Sequence, residues 1–369
     1  VHQVENRGPG HPPSTAAEHP LADTWVVNYH QDGGAEFVAV DRRSAITLGT
    51  ATLFGWGTGR TPPTTRLRND VLRNLAAILD QTRVLGRTAS PSTVLSMVIA
   101  QIQTLRGLAR DASAAERSRV LTLAGRHAEY AAWMAQESGD ARAAQWWIDQ
   151  MYRFAVAAED PDLENYTHIR RSGLCLYRND ALGTVDLAER VRRTRSAPPW
   201  LRRSAALREA QGYALAGDEI SCRGILATAV DLGRRAAREA QPSPALGSTS
   251  VPDQHALVTG WCLYDLGRVR DSAEVLDGAV PLIPGSSGRA GARFGVRRVL
   301  AHASDGELDH ACALAEDLLD LVAVVDSATI RTDLERLVRV LARWRTHPGV
   351  ADLVPSLLEH LRQAPWTRS

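Results

Sequence analysis

Apolar residues recur at helical spacing through most of this chain. Leu67, Val71, Leu72, Leu75, Ile78 and Leu79 form one stripe and predict a helix reaching Leu85. Ser90-Pro91, a capping residue followed by the residue best tolerated in a first turn, opens a second helix over 93–108. From Ala112 the pattern becomes denser. Tyr130 to Met151 reads YAAWMAQESGDARAAQWWIDQM: one helical run closes on Ser138-Gly139-Asp140 and another opens at once. Ala132 stands seven residues before Gly139 and Ala144 five after it. Small side chains therefore sit where two helix axes must approach.

The same arrangement returns four times. Its turn residues are Gly139, Asn179, Gly217, Gly267 and Gly306, spaced by 40, 38, 50 and 39. Seven residues before the first four lie Ala132, Ser172, Ala210 and Gly260. Five residues after all five lie Ala144, Thr184, Cys222, Ser272 and Ala311. Gly or Asn at the turn suits the left-handed residue that commonly ends a helix. A period near 40 with small residues at constant offsets predicts stacked helix pairs, an all-α fold of the α-solenoid type. Pro161, Pro198-Pro199 and Pro252 each stop one pair and precede the next. Gln241 to Ser250 is an insertion that explains the spacing of 50, expected as an exposed loop, and Pro284 to Gly288 as another exposed connection. Asp326 to Trp344 and Val350 to Leu361 are expected to close and cap the array.

The pattern resembles tetratricopeptide repeats. Gly217-Asp218 with Tyr213, Ala210 and Ala229 carries this best, then Gly267-Arg268 with Gly260 and Ala279. The run Trp133 to Leu163 is similar to the sensor half of actinobacterial regulators that join a helix-turn-helix DNA-binding domain to a tetratricopeptide-like array. The resemblance covers roughly residues 112–345. It lies in packing positions, so it implies fold more than activity. It also implies that the region preceding the repeats is a connector. Residues 1–64 are too rich in Pro, Gly and β-prone sequence to supply a compact helix-turn-helix, so the expected form is a regulator without its DNA-binding domain.

The expected organisation is an irregular N-terminal segment and linker over 1–64, then a helical repeat domain over 65–369. Residues 1–22, rich in Pro, Gly, His and Ser, are expected to be poorly ordered. Thr24–Tyr29 and Ala35–Val40 are β-prone runs around Gln31-Asp32-Gly33-Gly34 and predict a small hairpin. Asp41-Arg42-Arg43 before the uncharged stretch Ser44–Gly59 has two readings, a twin-arginine export signal or a connector. Threonines and glycines interrupt the stretch and no A-x-A cleavage site follows, which speaks against export. The connector is what the resemblance to the regulator family implies, where a similar stretch follows the DNA-binding domain. Gly55 to Arg60 lacks the lysine of a phosphate loop and reads as linker. No run reaches the ~18 apolar residues of a membrane span.

Charge and composition narrow the chemistry. The 43 basic residues, all arginine, balance 42 acidic ones, leaving +1. Direct nucleic-acid binding is therefore not expected. Without lysine, Schiff-base and P-loop chemistry is impossible. Arg190 to Arg195, Arg202-Arg203 and Arg234-Arg235 are interleaved with acids and read as solvated helix faces. Cys175, Cys222, Cys262 and Cys312 are too far apart for a zinc motif and read as buried free thiols of a cytoplasmic protein. The eleven histidines include no HxH or HExxH; His302 and His310 lie eight apart across a turn. No G-x-S-x-G is present, and the acids Glu159, Asp160, Asp162 and Glu164 suit a helix N-terminus. No metal, cofactor or catalytic residue is assigned.

The remaining candidates line the inner wall. The first helix of each stacked pair faces the concave side. Six residues before the turn, a groove-facing offset, stand Trp133, Gly173, Gln211 and Trp261. Tyr177 stands two before its turn and Tyr264 three before. Trp and Tyr offer stiff contact area with a polar edge. Equally, the two tryptophans could simply fill a narrow interior. Arg126, Glu129, Tyr166, Arg208, Gln254 and Arg293 are the polar residues expected nearby, able to hold a peptide backbone or a carboxylate. The function this implies is a non-enzymatic sensor or scaffold binding a peptide, a partner protein or a small signal molecule in its groove, with a homodimer as one possible form. The alternatives are an enzyme or biosynthetic accessory protein using the groove as a pocket, and a DNA-binding regulator with a diverged N-terminal domain.

Overall fold

The computed structural model describes residues 24–29, 35–40, 69–238, 246–247 and 251–362. The chain divides into two units, Val1–Thr61 and Pro62–Ser369. The first contributes a two-stranded antiparallel hairpin, β1 (Thr24–Tyr29) and β2 (Ala35–Val40), registered from Thr24 against Val40 to Tyr29 against Ala35. Residues 1–22, the Asp41–Gly59 stretch and the Gly55–Arg60 run lie outside the described residues.

The second unit is all-α. Two lead helices come first, α1 (Asn69–Leu85) and α2 (Pro91–Asp111). Five antiparallel pairs follow. They are α3 (Ala114–Glu137) with α4 (Ala141–Ala158), α5 (Pro161–Tyr177) with α6 (Ala181–Arg193), and α7 (Pro199–Leu215) with α8 (Glu219–Ala236). Next are α9 (Gln254–Asp265) with α10 (Val269–Ala279), and α11 (Gly288–Asp305) with α12 (Leu308–Val325). The last two are α13 (Ala328–Leu341) and α14 (Pro348–Arg362). Consecutive helices from α1 to α12 pack on one another, which makes an α-solenoid of tetratricopeptide-like pairs; α13 then packs back on α11, and α14 on α12 and α13. No described helix is long and apolar enough to cross a membrane.

The five turns share one construction. Gly139, Asn179, Gly217, Gly267 and Gly306 all have positive φ, between 58° and 90°. The residue after each donates its backbone N–H to the carbonyl five residues back, as Asp140 does to Ala135 (3.0 Å) and Asp218 to Tyr213 (2.9 Å). At three turns that residue is also an aspartate capping the next helix: Asp140, Asp180 and Asp218 accept from the backbone N–H of Ala143, Gly183 and Ser221. Two adjacent residues thus end one helix and start another. Gly217→Ala should cost about 1–2 kcal/mol, because a Cβ there meets no neighbour and only the left-handed backbone is strained. Gly224→Ala, at an exposed position inside helix α8 and equally unobstructed, should instead stabilise by roughly 0.5–1 kcal/mol. Urea denaturation of the two variants checks the opposite signs.

The offset residues do what their size implies. Ala132, Ser172, Ala210, Ala144, Thr184, Cys222, Ser272 and Ala311 are fully buried, and Gly260 is buried. Within two pairs they touch directly: Ser272 Oγ donates to the Gly260 carbonyl (2.7 Å) and Thr184 Oγ1 to the Ser172 carbonyl (3.4 Å). Cys222, Cys262 and Cys312 are buried and all four cysteines are free.

The array does not stay open. It curves until its last helices return to its first. Arg289 at the start of α11 donates to the carbonyls of Gly86 (3.0 Å) and Ala89 (2.8 Å) in the α1–α2 connection, and its backbone N–H to that of Arg87 (2.8 Å). α13 packs against both α3 and α11. α13 was expected only to cap the end; its Ser327, Thr329 and Asp333 are buried at this closure instead. The two loop expectations are met only in part. In the Gln241–Ser250 insertion, Gly247 lies against the Tyr166 hydroxyl and is half-buried. In the Pro284–Gly288 connection, Pro284, Gly285 and Ser286 are exposed as expected, and only Ser287 and Gly288, where the next helix begins, are buried.

Candidate functional site

Closure turns the groove into a central cavity of about 190 Å³. Its wall comes from the first helix of every pair, α3, α5, α7, α9 and α11, with Arg83 from the end of α1, Arg87 from the α1–α2 connection, and Gly247 and Val251 from the insertion region. Residues at equal offsets on successive inner helices face the same hollow, so the repeat itself builds the site.

Nine sequence candidates meet there: Trp133, Tyr177, Gln211, Trp261, Glu129, Tyr166, Arg208, Gln254 and Arg293. Tyr264 and Arg126 do not. Tyr264 lies three residues beyond Trp261, a rotation of about 60° away from it, whereas the four-residue step that brings Tyr177 to the wall rotates only about 40°. Its hydroxyl pairs with Ser304 Oγ (3.2 Å) and its ring packs on the α11–α14 core. Arg126 shares the face of Trp133 but lies about 10 Å lower along α3. There it sits in the field of Asp160 and Asp162, and burial is the largest influence on its pKa, lowering it.

The two tryptophans are held alike. Trp133 Nε1 donates to Glu137 Oε1 (3.1 Å) and Trp261 Nε1 to Asp265 Oδ2 (2.9 Å), four residues on in each case. Their surroundings differ. Trp261 is buried, with the Arg297 guanidinium 3.1 Å from its ring centroid and Tyr177 edge-on at 6.0 Å. Trp133 is half-buried, leans on Tyr130 at 5.6 Å, and presents the rest of its ring to the cavity. Packing thus describes Trp261 best, and Trp133 is the wall residue with a free face.

Two buried carboxylates organise the charge. Glu129 takes Arg83 (3.1 Å) and Arg170 (3.6 Å). Glu137 takes Arg289 (3.3 Å) and, closer still, Arg293, together with the hydroxyls of Ser327 (2.6 Å) and Thr329 (3.1 Å). Burial pushes the Glu137 pKa up, but Arg293, Arg289 and the two hydroxyls outweigh it and hold it at about 2. Burial raises Tyr166, assisted by Glu129. Tyr130, Glu137, Arg170 and Arg289 belong to the wall and were not among the sequence candidates. Glu137 was accessible to sequence reasoning: it and Asp265 are acids placed identically after the two equivalent tryptophans.

Away from the cavity, Asp277, His302 and His310 cluster with ligand-capable atoms within 4.8 Å of one another. Asp277 already accepts from Arg298 Nε (2.5 Å) and contacts His302 Nε2 (3.0 Å), so a guanidinium occupies the carboxylate that a cation would need.

No family model matches this chain, and no curated protein matches it. Among solved structures it is similar to a chain described as the crystal structure of a Rap protein complexed with competence and sporulation factor. The identity is 10% and the TM-score 0.49, with 79% of this chain and 88% of that one covered. At that level of likeness the fold assignment rests on the five turns and the helix pairs they join.

Proposed function

We propose that the protein is a non-enzymatic regulatory or sensor protein that holds a compact ligand, a small molecule or the end of a peptide, in its central cavity. The observation that carries this reading is the convergence of nine groove-side residues, from five successive inner helices, on one aromatic and arginine-lined hollow. Pockets that bind organic ligands combine apolar walls with a few placed polar groups, and Trp133, Tyr177 and Phe294 alternate here with guanidiniums. The size of the hollow favours a small molecule or peptide end over a folded partner inside it; a partner protein would read the outer surface.

The state of Glu137 supports binding over catalysis. Buried, engaged by two arginines and held well below the usual carboxylate range, it is a poor general acid or base near neutral pH. The resemblance to sensor halves of actinobacterial regulators supports a role in modulating another regulator in the cytoplasm, and the near-zero net charge supports a role without direct nucleic-acid contact, with homodimerisation as the way two cavities would be coupled.

Trp133→Ala tests the reading. Native mass spectrometry of the full chain, gently purified from its own host, should show a bound compact mass, with occupancy at least ~10-fold lower in the variant, as for a binding hot spot. Helical content should be unchanged. Unchanged occupancy, or a variant that loses its fold, would return Trp133 to a packing role.

A further inference from the structure

The whole chain carries only +1, yet six arginines and two glutamates line the cavity, a local surplus of four positive charges. Glu129 and Glu137 are each already shared between two arginines. Arg208 has no carboxylate among the described residues. Its Nη1 donates to Gln211 Oε1 (2.8 Å) and its Nε meets no acceptor. The guanidinium lies deep in the unit, and the area it keeps exposed opens on the cavity. Burial first, and then the charges of Arg170 and Arg293 close by, hold its pKa below the usual arginine value. A buried cation without a counter-ion is costly to keep, and arginine sheds its proton too reluctantly to escape that way.

The fold makes room for this head. Trp133, Gln211 and Trp261 occupy one offset on their helices, and on α5 that offset is Gly173. A Cβ added at Gly173 would lie 3.7 Å from Arg208 Nη2 and 3.8 Å from Cζ. An indole at this position would take the space the guanidinium now fills. We infer that the ligand is a compact organic carboxylate with a flat apolar body, and that Arg208 is the seat of its carboxylate. This rests on the cavity being a ligand site, as proposed above. A carboxylate supplies the missing counter-ion and accepts from a guanidinium in its own plane. Trp133 and Tyr177 offer the flat body stiff faces. The charge surplus repels cations and focuses anions inward.

Isothermal titration of the full chain with 2-naphthoate, its uncharged analogue 2-naphthamide, and 2-naphthyl phosphate tests the inference. The acid should bind at least ten-fold tighter than the amide and tighter than the phosphate. In Arg208→Gln, acid and amide should bind alike within about two-fold, and the ligand-free variant should melt no lower than the parent, since an uncompensated charge has gone. Should that variant not fold, Arg208→Lys carries the same comparison, with the preference for the acid cut several-fold. Equal binding of acid and amide by the parent protein overturns the anion inference and leaves the cavity a ligand site. Preference for the phosphate overturns the carboxylate class. Persistence of the acid preference in Arg208→Gln moves the seat elsewhere, and a marked drop in its melting temperature makes Arg208 structural. Binding of none of the three overturns the flat carboxylate as the ligand class, while the ligand reading of the cavity stands or falls on the mass-spectrometric occupancy above.

Discussion

Glu137→Gln should destabilise the protein by about 3–5 kcal/mol, the usual effect of breaking a buried ion pair from one side. The substitution keeps the shape of the side chain and removes its charge. Arg289 and Arg293 then remain beside one another without the carboxylate they share. Ser327 and Thr329 of the α13 start lose an ionised acceptor as well. The damage should be local before it is global. Glu137 ties the end of α3 to α11 and α13, so hydrogen exchange should rise first in α13, α14 and the α1–α2 connection, and last in α5 to α8, which pack within the array. Asp231→Asn is the control. Its pair with Arg234 is exposed on both sides and should change stability by no more than about 0.5 kcal/mol. A Glu137→Gln loss below about 1 kcal/mol, with exchange in α13 unchanged, would show that apolar packing alone closes the ring.

The part of this architecture that was legible in the sequence is the part set by short-range constraints. A left-handed residue at a turn is a local requirement, and Gly139, Asn179, Gly217, Gly267 and Gly306 all meet it. Close helix approach within a pair spans only twelve residues, from Ser172 to Thr184 or Gly260 to Ser272, so small residues at fixed offsets reveal it. Given the repeat, the inward-facing offset follows, and it located Trp133, Gln211 and Trp261 on the wall. Closure was not legible. It is the accumulated rotation of five pairs, and no single residue marks it. The contacts that seal it join Glu137 to groups 152 and 192 residues away. Without closure, Glu137 reads as an ordinary surface acid near a helix end, and α13 as a cap. Arg126 failed as a wall residue for a related reason: the face was right, but the depth of the hollow along α3 is a property of the closed ring. The Asp277–His302–His310 cluster is another product of packing between pairs, since Asp277 sits on α10 and the histidines on α11 and α12.

Acid should narrow the difference between wild type and Glu137→Gln. In the folded protein Glu137 titrates at about 2, against 4.5 when unperturbed. The unfolded chain therefore binds this proton at higher pH than the folded one. The stability Glu137 contributes is complete above pH 4.5 and is lost as pH falls through 4.5 toward 2, about 3 kcal/mol over the whole window and about 2 kcal/mol by pH 3. A glutamine at this position has no such window. The variant's deficit should thus fall from about 3–5 kcal/mol at pH 6 to about 1–3 at pH 3. Other groups do not confuse the comparison, because both proteins have them. His127 is fully buried with its Nδ1 on the Leu123 carbonyl (2.8 Å), and burial lowers its pKa to about 4. It removes stability from both proteins as pH drops from 6.5 to 4, since the unfolded imidazole takes a proton the folded one refuses. Asp265, raised mainly by burial, acts in the opposite direction in both. Urea titrations of the two proteins at pH 6 and pH 3 give the difference directly. A gap that stays constant between them would mean that Glu137 does not close the ring as a carboxylate, and that Arg289 and Arg293 find their compensation in the backbone carbonyls of the α1–α2 connection.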